Sequence, residues 1–245
     1  MKAIILAAGD SKRLRPFTDN MPKCLIKING KVIIDYQIQA LEDNNIKEVV
    51  VVVGYLAEQI MKHLTTKYPD IYFKFIYNPI YYETNTVYSL WLASNEMDCD
   101  FLYFNADVLM DKLIIKQLIR CKYANCLAIC PCKCADEEVK VIIKDDVVVN
   151  IGKKLDSKIC YGEFIGIAKF SKAFNEKFKI KLDDIVKIGN ENAFFELALE
   201  ELVNENASEN LLGILNIHDL PYIEIDYPDD LEKAKNETCH KLNVE

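Results

Sequence analysis

Apolar and polar positions along this chain alternate between two periods. Ala3-Ile4-Ile5-Leu6 is a continuous apolar run that ends in Ala7-Ala8-Gly9, as a strand buried on both faces does. From Val32 to Asp43 the residues Ile33, Tyr36, Ile38, Ala40 and Leu41 fall at helical spacing. Glu48 to Val53 is a second apolar run, closed by Gly54. Ala57 to Lys67 reads as a helix, Ile71 to Tyr77 as a strand, Asn85 to Asn95 as a helix and Phe101 to Asn105 as a short strand. Strands and helices that alternate over short connections predict an α/β fold with a mostly parallel sheet flanked by helices. Ligands of such sheets lie beyond the carboxyl ends of the strands. Gly9, Gly54 and Asp107 each follow a strand end, so one rim should carry all of them.

Beyond Asp111 the pattern changes. Leu113 to Arg120 is helical, and short strand-like runs follow at 126–131, 139–143, 147–151 and 163–170. Charged turns separate them, which predicts antiparallel strands in a small substrate-side lobe. Residues 192–205 read as a helix, 212–217 and 222–225 as strands, and 228–242 as a closing helix with Pro228 in its first turn. The expected organisation is one domain over 1–245: a nucleotide-binding part at 1–111, an acceptor-side lobe at 112–220, and a closing strand and helix at 221–245.

Charge narrows the partners. A net charge of −8 on 245 residues repels nucleic acid. A small anionic substrate must instead meet local cations, and Lys12 to Lys23 supplies them. No apolar stretch reaches the roughly 18 residues of a membrane span, and the first strand does not read as a secretory leader. The chain is therefore expected in the cytoplasm, as a monomer or homodimer away from membranes, with its nine cysteines reduced and mostly buried. Cys130-Pro-Cys132-Lys-Cys134 invites a zinc reading. Alternate residues of a strand point to opposite faces, and no second cysteine pair or Cys-His cluster completes four ligands in the sequence, so the reading is set aside.

The candidate chemistry begins in the first 25 residues. A strand that ends in small residues and a glycine lets backbone N–H groups converge on an anion, and Lys12, Arg13 and Lys23 follow. Asp107 and Asp226 each end an apolar run. Two carboxylates on the rim of a phosphate loop can hold Mg²⁺; the alternative is that each caps the helix after it.

Leu6-Ala7-Ala8-Gly9 through Pro22-Lys23, then Gly54-Tyr55, Asn85 to Ala93, Asn105-Ala106-Asp107, and Glu224-Ile225-Asp226 with Asp230-Leu231 resemble the small cytidylyltransferases of the phosphocholine type. These are cousins of the sugar-phosphate nucleotidyltransferases. The resemblance covers most of 1–110 and again 220–235. It implies a Rossmann-like fold and a Mg²⁺-dependent transfer of CMP from CTP to a small phosphoryl or phosphonyl compound, with release of pyrophosphate. Under it, Arg13 and Lys23 steady the triphosphate, and Asp107 and Asp226 hold the metal. Leu6, Ala7, Ala8, Gly9, Ser11, Lys12 and Gly54 surround the nucleotide, while Asn85 and Ser89 read the cytosine edge, unless they serve only the helix. The loop departs from the family at Asp10-Ser11, where a second glycine is usual. Serine lacks glycine's freedom at positive φ, and an acid beside a triphosphate is unfavourable unless it points away or Lys12 compensates.

The acceptor is less legible. The resemblance assigns Lys153 to the acceptor phosphate and Phe194, Phe195 and Glu196 to an ammonium group. A solvated lysine and plain core aromatics are the alternatives. Residues 135–141 carry no aromatic for a choline cage, which keeps 2-aminoethylphosphonate or another amino-phosphoryl acceptor beside phosphocholine. A sugar-1-phosphate nucleotidyltransferase and a non-catalytic nucleotide-binding subunit complete the alternatives. His63, His218 and His240 show no arrangement with a nucleophile.

Overall fold

The computed structural model describes residues 1–205 and 211–242. The apolar runs become strands and the 3.6-period segments become helices. β1 (Lys2–Ala7) leads through a loop into β2 (Lys27–Ile28) and β3 (Lys31–Val32), then α1 (Ile33–Asp43), β4 (Glu48–Val53), α2 (Ala57–Lys67) and β5 (Tyr72–Tyr77). α3 (Thr86–Leu92), β6 (Phe101–Asn105), β7 (Val108–Met110) and α4 (Lys112–Arg120) follow, then β8 (Cys126–Cys130), β9 (Lys140–Lys144), β10 (Val147–Gly152) and β11 (Gly162–Phe170). α5 (Lys172–Lys187), α6 (Glu196–Glu205), β12 (Gly213–Asn216), β13 (Tyr222–Glu224) and α7 (Pro228–Lys233) complete the order. The last three positions of the expected 221–245 segment, and 206–210 within the 112–220 lobe, lie outside the described residues.

The chain forms two compact units. The first comprises Met1–Tyr82, Phe104–Lys116 and the described part of Asp219–Glu245; the second comprises Glu83–Tyr103 and the described part of Gln117–His218. In the first unit β1, β4 and β5 run parallel in the order β5-β4-β1, with Ile4 opposite Val50 and Val50 opposite Lys74. Ile4, Ile5, Val51 and Val52 are fully buried, as continuous apolar runs in a covered parallel sheet should be. The second unit is mixed. β8 pairs antiparallel with β11 but parallel with β12, and β9 pairs antiparallel with β10. The lobe expected to be antiparallel therefore contains a parallel pair.

Three helices differ most from the periodic reading. Lys172–Lys187 is a 16-residue helix that the pattern left unassigned. Its lysines mask a regular inner face of Phe174, Phe178, Leu182 and Ile185, and Ser171 caps it by accepting from the Phe174 N–H at 3.3 Å. The helix expected over 192–205 starts only at Glu196, because the preceding loop is spent on α3. Glu191 O accepts from Asn85 N–H at 3.0 Å, Ala193 O from Val87 N–H at 3.2 Å, and Phe195 N–H donates to Thr86 Oγ1 at 2.9 Å. The closing helix is α-helical over Pro228–Lys233 and widens to a π-turn over Ala234–Thr238.

Candidate active site

Sequence-distant segments converge in the first unit on a shared apolar cluster. Leu14, Ile26, Ile28, Ile33, Leu109, Ile225 and Leu231 pack together in it. Leu14, Leu109 and Ile225 are fully buried, each worth about 1.5–3 kcal/mol of apolar burial. Each lies within two residues of a candidate polar group: Leu14 beside Arg13, Leu109 near Asp107, Ile225 beside Asp226. Packing the apolar member of each pair fixes where the polar member stands.

The register of a short strand pair does the rest. β13 runs antiparallel to β7, with Glu224 opposite Val108 and Ile223 opposite Leu109. Ile225 N–H donates to Asp107 O at 3.2 Å, extending the ladder to the candidate acids. Gln37, buried on α1, donates to Asn105 O at 2.8 Å and Val108 O at 3.0 Å and so pins the turn that carries Asp107.

The outcome is a compact charge cluster. Lys23 Nζ lies 2.7 Å from Asp107 Oδ2 and 2.8 Å from Asp226 Oδ1. Arg13 Nη2 lies 2.7 Å from Asp226 Oδ2, while Nη1 donates to Tyr227 Oη at 3.1 Å. Burial works to lower the pKa of Lys23, but the facing carboxylates of Asp107 and Asp226 outweigh it and the net shift is upward. Burial likewise works to raise Asp226, and Lys23 and Arg13 outweigh it, so Asp226 stays below the usual carboxylate range. Neither aspartate caps a helix. Asp107 precedes β7, and at the start of α7 it is Asp230 that accepts from the N–H groups of Asp226 at 3.1 Å and Tyr227 at 2.8 Å.

The residues present fit a hard divalent cation. Carboxylate oxygens of Asp107, Glu224 and Asp226 all lie within 4.8 Å of one another. Asp107 Oδ1 is buried and has no hydrogen-bond partner among the described residues, an acceptor left for a ligand. An all-oxygen donor set of this kind suits Mg²⁺. Glu224 was not singled out by sequence, although Glu224-Ile225-Asp226 has the two-residue spacing of one strand face.

The loop after β1 takes the left-handed turn without glycine. Ser11 has φ 48° and ψ 47°, and Thr18 Oγ1 holds its carbonyl at 2.9 Å. The neighbouring acid, Asp10, pairs with Lys12 at 3.0 Å. A Cβ at Gly9 would meet nothing within 4 Å, so the backbone there faces open space. Gly54 is the opposite: a Cβ would stand 2.7 Å from Ala8 O and 2.8 Å from Tyr81 Cβ. That close approach lets Tyr55 N–H donate to Ala8 O at 3.0 Å, while the Tyr55 hydroxyl donates to Thr18 O at 2.9 Å and Asp19 O at 2.7 Å. Leu6 and Ala8 are buried beneath this loop.

The second unit holds the remaining candidates. Lys153 Nζ lies 4.0 Å from the centre of the Phe194 ring. Glu196 is buried, and its Oε2 has no hydrogen-bond partner among the described residues; desolvation raises its pKa to about 7, against a smaller lowering by its own backbone N–H and by Lys153. Phe195 corrects the expectation. It is fully buried among Tyr103, Phe164 and Phe178, so its ring belongs to the core, whereas Phe194 is exposed. Asn85 Oδ1 caps α3 by accepting from Thr86 N–H at 2.8 Å, and Ser89 is buried one turn on. Four of the nine cysteines are buried and five half-buried, fewer than expected, and all are free thiols. His63 Nε2 lies 2.7 Å from the buried carboxylate of Asp35.

An α/β fold with a glycine-bearing loop, a lysine–arginine pair and clustered carboxylates defines a nucleotide-handling transferase. The chain belongs to the nucleotidyl transferase family, whose family model matches residues 2–145. It is 31% identical over 236 residues to a choline-phosphate cytidylyltransferase of Streptococcus pneumoniae, covering 96% of this chain and 97% of that protein. It is 30% identical over 255 residues to a CTP:phosphoglutamine cytidylyltransferase of Campylobacter jejuni, covering 95% and 98%. The solved structure of a CTP:phosphocholine cytidylyltransferase from Streptococcus pneumoniae superimposes with a TM-score of 0.80 at 26% identity, covering 96% of this chain and 97% of that one. Among the described residues no helix is long and apolar enough to cross a membrane.

Proposed function

We propose that the protein is a Mg²⁺-dependent cytidylyltransferase that transfers CMP from CTP to a small zwitterionic phosphoryl or phosphonyl compound such as phosphocholine, releasing pyrophosphate. The observation that carries this reading is the Asp107–Lys23–Asp226 bridge with Arg13 beside it. The two cytidylyltransferase relatives, aligned over nearly the whole chain, support CTP as donor. On this reading both units belong to one nucleotidyltransferase domain.

The acceptor's phosphoryl oxygen attacks the α-phosphorus in line, and the protein supplies position and charge rather than a nucleophile. Backbone amides of the Ala8 to Ser11 loop cradle the triphosphate. Lys23 and Arg13 steady the triphosphate and the leaving pyrophosphate. Asp107, Glu224 and Asp226 would hold Mg²⁺, which neutralises phosphate charge as it develops. In the second unit Lys153 meets the acceptor phosphate and Glu196 its cationic end, with Phe194 as the aromatic face.

One observation favours a second acceptor class. With Phe195 in the core, a quaternary ammonium finds one aromatic ring, whereas the unpartnered Glu196 oxygen can accept a hydrogen bond from a primary ammonium. An amino-phosphoryl acceptor such as 2-aminoethylphosphonate fits that arrangement. The test is pyrophosphate release with CTP and Mg²⁺ over phosphocholine, phosphoethanolamine, 2-aminoethylphosphonate, phosphoglutamine and hexose 1-phosphates. Turnover with UTP or dTTP and a hexose 1-phosphate would replace this reading with a sugar-1-phosphate enzyme. CTP binding without turnover on any acceptor would point to a nucleotide-binding subunit.

A further inference from the structure

We propose that Cys132, Cys134, Glu138 and Cys160 form a binding site for a zinc-class divalent cation in the second unit, separate from the carboxylate cluster of the first. Two features of the fold make room for such a site. β8 ends at Cys130, so Cys132 and Cys134 lie in a loop and need not point to opposite faces. The missing ligand arrives from elsewhere in the chain: Cys160 Sγ, 26 residues beyond Cys134, stands 3.1 Å from Cys134 Sγ.

The donor geometry is close to assembled. The Sγ atoms of Cys132 and Cys134 and a carboxylate oxygen of Glu138 all lie within 4.8 Å of one another. Cys160, 3.1 Å from Cys134, would supply the fourth donor, and three thiolates with one carboxylate suit zinc rather than magnesium. Glu138 Oε2 accepts from Ala135 N–H at 2.6 Å, which orients the carboxylate within its own loop. By contrast, Cys121 and Cys126 approach to 3.0 Å, yet no third ligand joins them among the described residues.

An independent observation comes from Lys140. Its side chain is almost fully buried, and its ammonium donates to the carbonyls of Asp136 at 3.1 Å, Glu138 at 3.4 Å and Lys153 at 2.7 Å. Among the described residues it makes no ion pair. A buried cation calls for a counter-charge. Three thiolates and a carboxylate around a divalent ion leave a net charge of −2, in the loop that Lys140 already grips. Binding would release the thiol protons to solvent and fix the loop between β8 and β9. Through Lys140 it would also brace the backbone at Lys153.

Cobalt titration tests the site directly. The full-length protein, purified under reducing conditions and stripped with a chelator, is titrated with Co²⁺ while thiolate-to-cobalt charge-transfer absorption is followed. The expected result is saturation at one equivalent, stoichiometric displacement by Zn²⁺, loss of the band in Cys134→Ser and its reduction in Cys160→Ser, with Cys99→Ser unchanged. Cobalt at Asp107, Glu224 and Asp226 has only oxygen ligands and gives no such band, so the result is independent of the proposed transferase activity. Should the cysteine variants fail to fold, Glu138→Gln keeps the thiolates and should weaken Co²⁺ binding at least tenfold. No charge-transfer band in the wild-type protein, a band that survives both cysteine variants, or a Cys134–Cys160 disulfide that persists with zinc present would overturn the proposal.

Discussion

Ile225 donates its backbone N–H to the carbonyl of Asp107 at 3.2 Å. That bond continues the β7–β13 ladder and sets the strand ends carrying Asp107 and Asp226 side by side. Lys23 then closes both carboxylates with one ammonium. The electrostatics of the first unit follow from this register.

Lys23→Ala should remove both the bridge and its neutralising charge. The Lys23 side chain is 12% exposed, and breaking a buried pair from one side costs about 3 kcal/mol. Activity should fall at least about a hundredfold in kcat/KM. Because Asp226 is held below its ordinary value, its contribution is present above about pH 4 and is lost as pH falls through the depressed folded value. The stability lost in the variant should therefore be full at pH 8 and shrink progressively as the pH falls below about 4, as urea unfolding over that range will show. Asp107→Asn should abolish pyrophosphate release while the chain still folds, with a smaller loss of stability than Lys23→Ala because Lys23 keeps Asp226; near-normal turnover would remove Asp107 from the chemistry.

Glu196 should give a stability trend of opposite sign. Its folded pKa of about 7 lies above the ordinary 4.5, so the folded chain holds the proton more tightly across that window. Stability should fall as pH rises from about 4.5 to 7, and Glu196→Gln should abolish the dependence. Above pH 7 the variant should be more stable by on the order of 3 kcal/mol. Melting curves at pH 5 and 8 decide it. If Glu196 meets the acceptor's ammonium, KM for acceptor should also fall through pH 7 in the wild type and stay flat in the variant.

Ser11→Gly should relieve the left-handed backbone at φ 48°. A gain of about 0.5–1 kcal/mol is expected, since glycine carries no Cβ penalty there but loses more chain entropy on folding. A lower KM for CTP with unchanged kcat would show that the loop geometry is kept. A drop in melting temperature would show that the serine is needed for more than its backbone.

Lys153→Met and Phe194→Leu should act on one substrate only. Each should raise KM for acceptor about tenfold, the scale of one lost charged or cation–π contact, with KM for CTP unchanged. Equal effects on both substrates would place these residues outside acceptor binding.

The elements that sequence made legible are those whose pattern is local. β1, β4 and β5 are uninterrupted apolar or alternating runs, and α2 occupies Ala57–Lys67 as its period requires. The β2–β3 hairpin turns on Asn29 at φ 49° and Gly30 at φ 81°, a two-residue turn signal that is local to the chain. α5 was equally available once its lysines are set aside.

What sequence alone determined was the α/β class, the loop after β1 and the acids at strand ends, because strand period, glycine placement and small-residue runs act over a few neighbours. Tertiary structure alone decided the partners. Glu224 joined Asp107 and Asp226 through strand pairing. Phe195 went to the core while adjacent Phe194 stayed exposed. Cys160 found Cys134 across 26 residues. Such contacts depend on packing between segments distant in the chain, so local pattern placed Glu224 and Asp226 on one strand face but could not name the partner that the face, or Cys134, would meet.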